Sequence, residues 1–147
     1  MLGRGAPRAG TRAVTRYRAI EPAELGASSG FTHGLLAPAG GRLLFVAGQT
    51  PTGAGGAVVD GGFARQFEAA LERVLAVVRE AGGTPESVGR MTVYVTDMDA
   101  YRAARRELAG VWRERMGDHY PAMALVEVGG LVDEGAQVEI EATAVIP

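Results

Sequence analysis

Few side chains in this 147-residue chain have the chemistry to act on a substrate. Cysteine is absent, which removes thiolate nucleophiles, thiolate metal sites and disulfides. All 15 basic residues are arginine, so a lysine Schiff base, a pyridoxal-phosphate lysine and a Walker-type phosphate loop are excluded. His33 and His119 are the only imidazoles, and no acids stand at metal-ligand spacing around them. A surface or packing role is expected of both rather than that of a catalytic base or ligand, and neither a metal nor a cofactor is expected. Ser28, Ser29 and Ser87 lie in no GxSxG elbow. What remains is carboxylate and guanidinium chemistry. Glu139 and Glu141 alternate with apolar residues near the C-terminus, and a carboxylate so placed can orient water and accept its proton. The same carboxylate could equally be satisfied by backbone donors or an interface arginine. Arg105, between Arg102 and Arg106, is either a solvated helix residue or an anion-binding one.

The elements that must position these groups follow from hydrophobic periodicity. From Gly62 to Ala81, Phe63, Phe67, Leu71, Val74, Leu75 and Val78 recur at helical spacing, with Asp60 as the expected cap and Gly82-Gly83 as the stop. From Met98 to Met116 the stripe is Tyr101, Ala104, Leu108, Val111 and Trp112, with Asp97 placed to cap and Asp99 to favour the dipole. These aromatics are read as core. Strands are expected over Thr15–Ile20, Thr32–Leu36, Arg42–Ala47, Arg90–Thr96, Pro121–Val128 and Gln137–Ile146, separated by Gly- and Pro-rich turns. The order gives an α+β domain, a sheet with two helices on one face.

Period-two alternation assigns the faces. In the last strand Val138, Ile140, Ala142, Ala144 and Ile146 should lie under the helices, leaving Glu139 and Glu141 on the helix-free face. In the strand before it, small or branched Ala122, Ala124, Val126 and Val128 suit the helix side, and Met123, Leu125 and Glu127 the other. Arg42–Gly48 is apolar at both parities, so its second face also needs cover. Self-association through the open face would supply that cover and create clefts between subunits.

Composition bounds the rest. A chain of this length is one ordinary domain that buries roughly 68–70% of its unfolded surface. Net charge is −2 and no Arg-aromatic stripe crosses the body of the chain, which argues against nucleic acid as the main partner. Residues 1–14 are expected to be a disordered extension before a domain at 15–147, and Arg4, Arg8, Arg12, Arg16 and Arg18 are unbalanced by any acid. A transit peptide or an anion-binding arm is the alternative reading; a disordered or mis-assigned start, with translation beginning near Val14, is the expectation. No apolar run reaches the ~18 residues of a membrane span, and no secretory h-region is present. A cytoplasmic setting is expected.

The run Tyr120-Pro121-Ala122-Met123-Ala124-Leu125-Val126-Glu127-Val128-Gly129-Gly130, followed by Val138-Glu139-Ile140-Glu141-Ala142, resembles the signature of the RidA family, also called YjgF or endoribonuclease L-PSP. Phe31-Thr32-His33 and Phe45-Val46-Ala47-Gly48-Gln49-Thr50-Pro51 resemble two further family segments. The resemblance implies a homotrimer of chorismate-mutase-like α+β subunits with small-molecule clefts at the interfaces. It also implies an enamine or imine deaminase in which a glutamate, here Glu139, places water. The family's substrate-gripping arginine falls at Met123, its tyrosine at Phe31, its serine at Ala47 and its helix asparagine at Arg105. Backbone groups at Gly48 and Ala124 remain available to a ligand.

Losing that arginine has a large expected effect. Charge-assisted hydrogen bonds contribute roughly 1.5–3 kcal/mol each, so a bidentate pair removed weakens carboxylate binding by about 10² to 10⁴. Met123, Phe31, Ala47 and Leu125 together describe a more apolar pocket, with Arg105 as a possible replacement cation. Three functions follow: an imine or enamine hydrolase of altered preference, a non-catalytic small-molecule-binding trimer and, last, a ribonuclease.

Overall fold

The computed structural model describes residues 16–147. The expected 1–14 extension, Thr15 and the arginines at 4, 8 and 12 lie outside the described residues. The elements run β1 (Arg18–Ile20), β2 (Gly34–Leu36), β3 (Arg42–Gln49), α1 (Gly62–Glu80), β4 (Val88–Val95), α2 (Met98–Met116), β5 (Ala122–Glu127) and β6 (Val138–Ile146).

The stripe read from the first helix is the face α1 buries. Leu71, Val74 and Val78 are wholly inaccessible, and Phe63, Phe67 and Leu75 nearly so, each such side chain stabilising the fold by roughly 1.5–3 kcal/mol. Asp60 does not cap this helix. The N-cap is Gly61, at φ 117° and without a side-chain bond, and Asp60 stands one residue too early to reach the first turn's N–H groups. The stop is as expected: Gly82 takes φ 96°, and the Gly82 and Gly83 N–H groups donate to Arg79 and Val78 carbonyls. At α2 the Asp97 carboxylate accepts from Asp99 N (2.9 Å) and Ala100 N (3.0 Å), and Glu127 at the end of β5 accepts from Met98 N. Arg115 on α2 bridges Glu68 (2.8 Å) and Glu72 (3.0 Å) on α1, which fixes one helix against the other. The paired carboxylates raise the affinity of its guanidinium for the proton.

The main sheet has the order β3-β6-β4-β5, with β3–β6 and β6–β4 antiparallel and β4–β5 parallel. Both helices pack on one of its faces. β1 and β2 pair only with each other, so the single sheet implied by the strand count is a four-stranded sheet plus a separate hairpin. Each hairpin strand is three residues long and largely exposed, and adds no buried apolar face to the sheet.

In β6 the alternation is as read: Val138, Ile140, Ala142, Ala144 and Ile146 are buried, and the residues between them half-buried. In β5 the faces are reversed from the expectation. Met123 and Leu125 lie opposite Met91 and Val93, which are fully buried, and pack on the helix-side core. Ala122, Ala124 and Val126 share the helix-free face with Arg90, Thr92 and Tyr94. The helix side of this strand requires bulk, because Met123 and Leu125 must reach the layer that contains Trp112 and Tyr120. On the helix-free face Leu43 and Phe45 are 63% and 77% exposed, leaving apolar surface uncovered in the single chain.

Candidate functional site

Two places gather the residues singled out by the sequence. The first is a cavity of about 190 Å³ between α2 and β5. From α2 it takes Tyr101, Arg105, Leu108, Ala109 and Trp112, from β5 Met123 and Leu125, and from elsewhere Phe67, Tyr120 and Gly30. Tyr101, Arg105, Leu108 and Trp112 fall at i, i+4, i+7 and i+11, so the helix period aims Arg105 along the same face as three large apolar side chains. Its guanidinium has no hydrogen-bond or ion-pair partner among the described residues. Trp112 stacks on Tyr120, with ring centroids 5.5 Å apart and planes 15° from parallel, and its indole N–H donates to the His119 carbonyl at 3.1 Å. These aromatics were read as core alone. They are core on one edge and cavity wall on the other, and the signal for this was an arginine inside an apolar stripe.

The second place is the junction of β3 and β6 on the helix-free face. The ladder slips between Val46 and Gln49, and the Glu139 carboxylate occupies the space over Gly48. A Cβ at Gly48 would fall 2.9 Å from Glu139 Cδ, so any larger residue here would push the carboxylate out of this position. Gln49 stabilises the slip: its amide donates to the Ala47 carbonyl at 3.1 Å and accepts from Arg73 Nε of α1 at 3.1 Å. Beside Glu139 in the register stands Tyr94, whose hydroxyl donates to Glu141 Oε1 at 2.9 Å. That bond, with some burial and the adjacent negative charge, holds the phenol protonated above its ordinary range. Ala124 lies on this face opposite Thr92.

The structure thus brings Arg105, Met123 and Leu125 together, and separately Glu139, Gly48 and Ala47. It does not bring Glu139 to Met123 within one chain. Glu139 pairs with Tyr94 and Met123 with Met91, and residues 91 and 94 point to opposite faces of β4. The single apolar pocket of Met123, Leu125, Phe31 and Ala47 is therefore divided by the sheet, because Ala47 lies on the β3 edge. Phe31 is half exposed and meets His33 edge to face at 5.1 Å, next to cavity-lining Gly30. His33 also bonds the Gly26 carbonyl, while His119 bonds Val88 O at 2.7 Å and stacks on Tyr17. No group of three or more His, Asp or Glu that could hold a metal occurs among the described residues. Nor is any described helix long and apolar enough to cross a membrane.

Two helices on one face of a β3-β6-β4-β5 mixed sheet, with a cavity between the second helix and the parallel edge strand, define an α+β class of fold. Residues 22–146 match the sequence pattern of Endoribonuclease L-PSP, and the chain belongs to that family, which is also the RidA or YjgF family. A RutC family protein of Haemophilus influenzae is 31% identical over 105 residues, spanning 71% of this chain and 80% of its own. The human 2-iminobutanoate/2-iminopropanoate deaminase is 26% identical, over 71% of this chain and 73% of its own. Among solved structures, the Rid-family protein YyfB of Yersinia pestis superposes with a TM-score of 0.77 at 30% identity, covering 88% of this chain and 98% of that one.

Proposed function

We propose that this chain is a cytoplasmic RidA-type hydrolase that acts on a reactive imine or enamine acid, with a preference shifted toward apolar substrates. The observation that supports this most is the seating of Glu139. A carboxylate held over the glycine of a strand slip, beside a protonated tyrosine, is positioned to take a proton from water. Water then adds to the imine carbon, the nitrogen leaves as ammonia and a carbonyl remains, so atoms and charge balance without a cofactor.

Glu139 and the Arg105 cavity lie on opposite sheet faces, so a site that uses both takes one from each of two subunits. Exposed Leu43 and Phe45 supply apolar surface for that contact, and a homotrimer closed through the helix-free faces is the proposed assembly. Light scattering should give three chains per particle.

The test generates imino acids of varied side chain with an amino-acid oxidase and follows ammonia release. The expected result is acceleration by the wild-type protein that Glu139→Gln reduces by at least about 10², the usual scale of general acid-base assistance. No acceleration for any side chain would leave a non-catalytic binding protein.

A further inference from the structure

We propose that the cavity between α2 and β5 takes a small monocarboxylate carrying one aromatic ring or a branched aliphatic chain, with Arg105 on the carboxylate. The inference rests on reading this chain as a small-molecule protein of its family, and it names the ligand class.

Size sets the first limit. An apolar void of about 150 Å³ holds benzene, so about 190 Å³ has room for one ring or a branched chain. Wall chemistry sets the second. Leu108, Trp112, Met123 and Leu125 offer flat, apolar and polarisable surface, which favours a ring or methyl branches over a polar chain. Charge sets the third. Arg105 is the one ionised group lining the cavity, and no carboxylate of the described residues pairs with it. A guanidinium fork matches a carboxylate in both shape and charge. A single cation suits a monoanion and would leave a phosphate dianion half neutralised. The arrangement is physically specific: the one cation stands on α2, and Met123 and Leu125 make the β5 wall across the cavity apolar.

Calorimetric titration of the full chain with phenylpyruvate, 4-methyl-2-oxopentanoate and 2-oxobutanoate tests this, using stable keto counterparts of imino acids. The first two should bind at least about tenfold more tightly than the third, since each buried methylene adds a few-fold. Arg105→Gln should weaken them by roughly tenfold to a hundredfold, Arg105→Lys by less, and neutral phenylacetamide should not respond to either substitution. The melting temperature of Arg105→Gln should equal that of wild type, because the side chain has no partner to lose. Unchanged keto-acid affinity in Arg105→Gln, preference for 2-oxobutanoate, or no binding of any keto acid would each overturn the proposal. Binding is read without turnover: tight Arg105-dependent binding with no imine hydrolysis defeats the hydrolase reading alone, and hydrolysis with Arg105-independent binding defeats this site alone.

Discussion

The Glu139 carboxylate rests on the backbone of Gly48, in space that any side chain at position 48 would fill. A chemical group and a backbone defect are thereby one feature, since the slip of β3 against β6 is what makes room for the carboxylate. Gly48→Ala should push the Glu139 carboxylate aside at little cost to the fold, under about 1 kcal/mol, because Gly48 is exposed and the group its Cβ meets is the free end of a flexible side chain. Urea unfolding reads the stability, and ammonia release from imino acids should fall as far as it does in Glu139→Gln.

Tyr17 fastens the segment before β1 to the core. Its hydroxyl donates to Ser87 O at 2.7 Å and accepts from Val145 N at 3.1 Å, so Tyr17→Phe should cost about 1–3 kcal/mol for two bonds. Burial raises the phenol above its ordinary value. The folded state then holds the proton more tightly than the unfolded one, and this stability is present below the unfolded pKa and lost as pH rises through the folded one. Wild-type stability should decline above about pH 10. Tyr17→Phe should show a shallower alkaline decline, though not a flat one, because Tyr94 is raised as well.

Asp97 satisfies two N–H groups at the start of the helix that carries Arg105. Asp97→Ala should lower stability by about 1 kcal/mol, whereas Asp60→Ala, outside any cap, should change it by less than about 0.5 kcal/mol. A pair of chemical melts separates the two.

Where a segment has one apolar face, periodicity is enough to read it: α1 and β6 bury the residues their spacing assigns, and the α2 stripe faces the core with Leu108 and Trp112 buried and Tyr101, Ala104 and Val111 partly so. β5 was ambiguous because both of its parities are apolar, and the side that meets the helices is decided by the depth of the gap to Trp112 and Tyr120, which no local pattern encodes. Alternation alone puts Met123 and Leu125 on the helix-free face, and with them a single pocket; in the structure both lie on the helix side. Arg105 was legible in part, since an arginine four residues after Tyr101 and three before Leu108 interrupts an apolar stripe. The meeting of Gly48 and Glu139 was not legible geometrically. It depends on a strand slip between distant segments, and only the resemblance placed both residues in one site.

Met123 is the position at which chemistry and packing meet, and returning arginine there separates the two. The side chain of Met123 packs against the helix-side core, so Met123→Arg removes apolar contact and brings a guanidinium to the edge of that core. The expected loss is about 1–3 kcal/mol of stability, limited because a long side chain can direct its charged end into the cavity. Two guanidinium groups would then face each other across about 190 Å³ lined otherwise by apolar and aromatic residues. In the unliganded protein they repel, and a carboxylate that bridges them relieves the repulsion. Affinity for short acids such as 2-oxobutanoate should therefore rise by at least about tenfold, while phenylpyruvate, whose ring competes for the space the new side chain fills, should gain less or lose. Calorimetric titration of both acids against the variant measures this directly. A uniform gain for both would mean that the wall at Met123 does not select ligand shape. A shift toward the short acid would mean that methionine at this position sets the preference for an apolar substrate.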